Sequence, residues 1–235
     1  KENPRQQLFD FLREKKLLIV LDNFEHLLEA TDLVVDILAN APGVKLLATS
    51  RLRLNVLGEQ LYHVGGMRSP NASEAAAWQD PETQAHSFSA VQLFLESAHR
   101  VRPNFTLTKD NVTPVLEICR LVQGMPLGLE WAAAWLELLQ PSEIADEIAR
   151  SLDFLETNQV NVPERQRSIR AVFESSWKLL SQVEQTALQR LCVFRGSFSR
   201  DAAQQVSGAS LRTLLGLVDK SWLQQIEGGR LQLHD

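Results

Sequence analysis

Apolar and polar positions change rhythm three times along this chain. Leu8, Phe11 and Leu12 share one helical face, which Asn3-Pro4 can cap and start and Lys15-Lys16 closes. A continuous apolar run, Leu17–Leu21, comes next and ends at Asp22. An unbroken run of this length is expected of a strand buried on both faces, as in a parallel sheet covered by helices. Leu27, Leu33, Val34, Ile37 and Leu38 then recur at helical spacing until Ala41-Pro42-Gly43 stops them. A second buried strand, Val44–Ala48, runs into Thr49-Ser50-Arg51, and a third, shorter one is expected at 60–64. Strand, helix and strand of these lengths make a βαβ crossover.

The pattern lapses into Pro, Asn, Ser, Asp and Gln over 69–87, which marks a domain boundary. Beyond it the period is helical. Val91, Phe94, Leu95 and Ala98 form one face, and Val112, Val115, Leu116 and Cys119 another. Gly124-Met125-Pro126 breaks the chain before a nearly all-apolar helix with Trp131, Ala134, Trp135 and Leu138, and Pro141-Ser142 opens one more. After a polar stretch at 157–164, Ile169, Val172, Phe173 and Trp177 line a helix. Ser181 with Glu184 forms a capping box ahead of Leu188, Leu191 and Cys192, and Ser199 and Ser210 cap two further helices. Alternation on either side of Glu227-Gly228-Gly229 signals a hairpin. Short helices closed by a hairpin spell a winged helix. The expected organisation is therefore an incomplete α/β domain at 1–69, a helical bundle at 85–155 and a winged helix at 160–235.

Bulk properties narrow the classes. The 235 residues include 44% hydrophobic and 23% charged positions, which fits folded globular structure. A formal net charge of −5 argues against nucleic-acid binding driven by bulk electrostatics, though not against a local basic patch. Cys119 and Cys192 have no CxxC spacing and both fall in apolar helical patterns, so both are expected to be reduced core residues in a cytoplasmic setting. No run approaches the roughly 18 apolar residues of a membrane span, and the first residues do not form a signal peptide. Lys1 is not a methionine, so the chain is expected to be cut from something longer.

Three features carry candidate chemistry. Asp22-Asn23 ends the first strand. Ligands of parallel α/β sheets bind at the carboxyl ends of strands, so a carboxylate there is well sited for Mg²⁺ held through nucleotide phosphates, although Asp also caps many helices. Arg51 ends the neighbouring strand and could donate charge-assisted hydrogen bonds to a terminal phosphate; the bland alternative is a solvated loop arginine. Gly124-Met125-Pro126-Leu127 lies between two helices, where Pro at a first turn is ordinary punctuation. His26, His63, His86 and His99 show no metal-ligand spacing, and no Ser–His–Asp arrangement is suggested.

In this order the motifs become specific. LLIVLDNFEHLL from Leu17 and LLATSRLRL from Leu46 resemble the Walker B and sensor 1 motifs of STAND-class signalling ATPases, in particular the NB-ARC-like branch of bacterial LuxR-type regulators. Gly58-Glu59-Gln60-Leu61-Tyr62, AVQLFLESAHRVRPNFTLT from Ala90 and EICRLVQGMPLGLEWAAAWL from Glu117 also look like that branch, the last containing its GxP motif. The part from Ile169 through Phe198 resembles its winged-helix domain, and Leu231-Gln232-Leu233-His234-Asp235 stands where the family has a His-Asp motif.

The resemblance implies a P-loop-type nucleotide-binding domain followed by a helical bundle and a winged helix. It implies that Asp22 holds Mg²⁺ through water and that Arg51 senses the terminal phosphate, with Thr49 and Ser50 shaping its loop. Pro126 would pack against adenine, and His234 would reach the phosphates of ADP to lock a closed resting state. The cofactors would be ATP or ADP with Mg²⁺, and the partners other domains of the same chain or further copies. The phosphate loop GxxxxGK[ST] is missing and is expected to precede Lys1, so this stretch alone is expected to bind and hydrolyse little nucleotide. Asn23 stands where related ATPases are often acidic, so the parent would be a slow ATPase; Glu25 could substitute, or simply be a first-turn helix glutamate. The resemblance implies an ATP/ADP-dependent conformational switch of a signalling or transcriptional regulator, and two rivals stand beside it. One is a DNA-binding winged helix, for which Arg212 and Lys220 beside Asp219 are thin support. The other is an interaction scaffold without nucleotide.

Overall fold

The computed structural model describes residues 3–156 and 167–233. The chain is helix-rich with two small two-stranded sheets, and it divides into two compact units. The first is discontinuous, taking in 1–62 and 179–234; the second spans His63–Lys178.

In the first unit, α1 (Pro4–Leu12) begins at Asn3, whose side chain accepts from Arg5 N–H at 3.0 Å. Its covered face is Leu8, Phe9 and Leu12, and Phe11 is turned out to solvent, contrary to the sequence expectation. Strand β1 (Leu17–Leu21) pairs in parallel with β2 (Val44–Ala48), Leu17 opposite Val44 and Leu21 opposite Ala48. A 3₁₀ segment, Phe24–Ala30, and α2 (Thr31–Asn40) make the crossover between them. The helix is interrupted at Leu27, which has a non-helical backbone and is exposed.

The sheet is covered on one face only. Leu17, Ile19, Val44 and Leu46 pack with Leu12, Leu33, Ile37 and Ala41. On the other face Leu18 and Val20 are each 58% exposed and Leu47 is 53% exposed, so the expectation of strands buried on both faces is not met within this chain. No strand forms at 60–64: that stretch is irregular, and Leu57, Tyr62 and Val64 stand in solvent.

The unit's C-terminal stretch holds α10 (Gln182–Leu191), α11 (Arg200–Ser207) and α12 (Leu211–Asp219), capped by the Ser181, Ser199 and Ser210 side chains. Strands β3 (Leu223–Ile226) and β4 (Arg230–Leu233) form an antiparallel hairpin, and Phe198 exchanges two 2.8 Å backbone hydrogen bonds with Leu231. Leu188, Leu191, Leu214, Leu217 and Leu223 are buried. Inside this part Lys220 Nζ lies 2.6 Å from Glu184 Oε2 and donates to Leu179 O at 3.1 Å. Gly216 makes room for that carboxylate, since a Cβ there would stand 2.6 Å from Glu184 Oε1. Cys192 comes just after the last helical turn of α10 and is exposed, which corrects its expected place in the core.

The regular elements described in the second unit are helices, with one isolated bridge between Glu156 and Ser168. The polar stretch at 69–87 carries two short helices, α3 (Ala72–Ala76) and α4 (Pro81–Ala85), started by Asn71 with Glu74 and by Asp80 with Pro81. Its core is built by α5 (Ser89–Val101), α6 (Val112–Leu121), α7 (Pro126–Ala134) and α8 (Pro141–Arg150), with Phe94, Val115, Ile118, Leu129 and Ile144 fully enclosed. Trp131 is in this core and Trp135 stacks on Phe154 with ring centroids 4.4 Å apart. Helix α9 (Ile169–Trp177), grouped by sequence with the C-terminal part, packs Ile169 and Val172 against this core instead. The polar stretch expected at 157–164 lies outside the described residues.

Candidate functional site

The two parallel strands end side by side, and hydrogen bonds join the residues just beyond them. Thr49 N–H donates to Leu21 O at 3.0 Å, and Phe24 N–H donates to Thr49 O at 2.9 Å. Thr49 Oγ1 then does two things at once. It donates to Asp22 Oδ1 at 2.6 Å and accepts from Asn23 N–H at 2.8 Å. Asn23 sits in the left-handed region at φ 61, a conformation Asn tolerates better than most residues. The sharp turn lets the chain leave the sheet while the Asp22 carboxylate stays at the strand end. Asp22 is exposed and makes no helix cap; its bond goes to Thr49.

The next residues shape a loop. Ser50 Oγ accepts from Leu52 N–H at 3.1 Å, and Glu59 receives Leu54 N–H and Asn55 N–H at 2.9 Å each. Arg51 leaves this loop with Nε 3.8 Å from Glu25 Oε1, and the Glu25 side chain is nearly covered. Sequence reasoning leaves Glu25 between a helix-start glutamate and a water-activating base. In the structure it is in the first turn of its 3₁₀ segment and also faces Arg51, so one carboxylate serves a local and a non-local role. Glu59 falls in a family-like stretch of the sequence, which assigns it no role. A signal for Glu59 existed, because it comes directly after the turn residue Gly58.

The structure therefore brings Asp22, Thr49, Ser50 and Arg51 to one strand end. Pro126 belongs to the other unit, where it opens α7. Its turn is fixed by close backbone approach. Gly124 has φ 66, and a Cβ on it would stand 2.0 Å from Met67 O; Met67 N–H donates to Gly124 O at 2.8 Å. His234 lies outside the described residues.

The oxygen donors at the strand end suit a hard cation. Asp22 is the carboxylate that could hold Mg²⁺ there if water and phosphate supplied the rest of its shell. Among the described residues no group of three or more His, Cys, Asp or Glu side chains converges as a metal cage. A separate groove of about 450 Å³ lies between the start of α11, α12 and the hairpin, lined by Arg200, Asp201, Leu211, Leu215 and Gln225 among others. On α12 Arg212 is accompanied by Asp219 and Lys220, and the Lys220 ammonium is already held by Glu184. Among the described residues, no helix is long and apolar enough to cross a membrane.

No family model matches the chain. It is 36% identical over 232 residues to proteins of Mycobacterium tuberculosis and Mycobacterium bovis named "putative HTH-type transcriptional regulator", a match that takes in 94% of this chain and 24% of theirs. An uncharacterized protein of Mycobacterium tuberculosis is 30% identical over 225 residues, covering 92% of this chain and 53% of its own length. Among solved structures, a signal transduction ATPase with numerous domains (STAND) that carries a tetratricopeptide repeat sensor, from Pyrococcus horikoshii, matches 98% of this chain and 28% of its own. The identity is 16% and the TM-score 0.33. This chain is thus similar along nearly its whole length to named transcriptional regulators, and it spans about a quarter of their length.

Proposed function

We propose that this chain is the switching part of a STAND-type regulator of transcription or signalling, responding to ATP or ADP with Mg²⁺. One observation carries the reading: Asp22 and Thr49 are hydrogen-bonded at the carboxyl ends of two parallel strands, with Arg51 two residues beyond. Ligands of parallel sheets bind at that end. The motif order of the sequence and the similarity to named regulators support it.

Bound Mg²⁺ would offset phosphate charge. Asp22 would hold that metal through water, with the Thr49 hydroxyl bonded to the Asp22 carboxylate. Arg51 exchanges its contact with Glu25 for the terminal phosphate when one is present. On the family resemblance, Pro126 would supply an apolar surface for adenine, and His234 would donate to ADP phosphate in a closed state. The two nucleotides need to differ in conformational preference by about 5 kcal/mol to move such a switch almost completely. Two contacts, Arg51 and His234, are a reasonable source for that difference. The fold of the C-terminal part as a winged helix belongs to the same reading. A DNA-reading role gains little from α12, because Lys220 is neutralised by Glu184.

The test uses a protein that joins this chain to the phosphate loop the resemblance calls for. There, Asp22→Ala should abolish Mg²⁺-dependent ATP turnover, since β2 ends in Thr49-Ser50-Arg51 and offers no second carboxylate beside it. Turnover at the unsubstituted rate would end the Walker B assignment.

A further inference from the structure

The discontinuous unit is joined across its two stretches by a charge pair. Arg53 Nη1 lies 3.1 Å from Asp219 Oδ1, and both side chains are largely covered. Arg53 is two residues beyond Arg51 on the loop after β2, and Asp219 is the last residue of α12.

Asp219 is oddly placed for a helix on its own. The carboxyl end of a helix carries partial negative charge, so a carboxylate there is unfavourable unless a cation offsets it. Its Oδ1 is enclosed and receives no hydrogen bond of good geometry, which leaves the Arg53 charge as its compensation. Neither end of the pair is loose. Glu59 fixes the backbone of Leu54 and Asn55 just after Arg53. Lys220, just after Asp219, is tied to Glu184 and Leu179.

We propose that Arg53–Asp219 is a charge latch that clamps the Arg51 loop to the carboxyl end of α12, so that loop and helix shift together. Its regulatory meaning rests on the reading of Arg51 as a phosphate-facing residue. Displacement of α12 would then reach Arg51 through two residues of backbone, and a phosphate drawing Arg51 away from Glu25 would pull on α12.

Hydrogen exchange of the full chain, measured without nucleotide, tests the latch. In Arg53→Glu and in Asp219→Arg, amides of 51–55 and of 216–221 should both exchange about tenfold faster. The double variant, with the charges reversed, should return both segments toward the unsubstituted rate. Asp219→Arg is the sharper single variant, because a cation at that position favours the helix itself and loosening there cannot come from a weaker helix end. If a reversal fails to fold, Arg53→Gln and Asp219→Asn serve in its place, judged by whether both segments loosen. Loosening of one segment alone, no loosening, or a double variant as loose as the singles overturns the proposal. Because no nucleotide is present, the result does not depend on what Arg51 meets, whereas the Asp22→Ala turnover test bears on the nucleotide reading alone.

Discussion

Asp22 and Thr49 are 27 positions apart, yet the 2.6 Å bond between them is the feature from which the rest of the strand end can be understood. An apolar run closed by Asp and a second closed by Thr-Ser-Arg are both plain in the sequence. The contact itself is not, because register between parallel strands is set by tertiary packing. Arg51 is legible as a candidate, and its resting contact with Glu25 is not, for the same reason. The cysteines divide in a similar way. Cys119 lies on the buried face of α6, where burial pushes its thiol up to about 12. Cys192 is one residue past α10, so it continues the apolar spacing without continuing the helix that would bury it. A thiolate-directed reagent at mildly alkaline pH should therefore add once to the folded chain, at Cys192, and a second time only after denaturation. Intact-mass measurement checks this; two rapid additions under native conditions would contradict the placement of Cys119.

Elements are most legible where side chains announce their ends. Asn3, Ser181, Ser199 and Ser210 all cap the helices they were expected to cap. Helices α3 and α4 escape the sequence reading although their caps are in the sequence, because five-residue helices bury almost no apolar stripe and only Ala85 is enclosed. The expected strand at 60–64 fails for another reason: none of the described strands pairs with it. The capping box of α10 also does more than begin a helix. Burial alone would raise the Glu184 pKa, but hydrogen bonds from Lys220 and Ser181 outweigh it and hold the carboxyl below its ordinary value. A depressed folded pKa means that the contribution to stability is complete above the ordinary carboxylate range and is lost as pH falls through the folded value. Glu184→Gln should then lower stability by about 1–3 kcal/mol at neutral pH, with the gap to the unsubstituted protein closing on acidification. Urea midpoints across that range provide the measurement, and a gap constant with pH would show that the Glu184 charge contributes nothing.

At the scale of the whole chain, the fold is helix-rich, with a parallel strand pair near its start and a hairpin near its end. The grouping into compact units is beyond the sequence reading, since helical periodicity does not say which neighbour a stripe will meet. Ile169 and Val172 make a good amphipathic face on either assignment, and they pack with the helices before them. Around the boundary of the two units the chain runs through 56–65 without regular structure, and Tyr62 is 90% exposed. Limited digestion with a protease that cuts after aromatic residues should open the chain first at Tyr62, giving pieces of residues 1–62 and 63–235 by mass. First cleavage after Phe94 or Trp131, both enclosed in the helical core, would contradict the packing of that core.

The split of the first unit also sets an order of events during synthesis. A ribosome adding about 5–20 residues per second needs on the order of ten seconds to pass from Tyr62 to Leu179. Through that interval the first stretch of the unit lacks its second, and Arg53 has no Asp219 to meet. Contacts so distant along the chain close slowly. The nascent α/β half is therefore the segment most in need of a chaperone's shelter, while the intervening helical unit, whose described contacts are drawn from one uninterrupted stretch, can fold as it emerges.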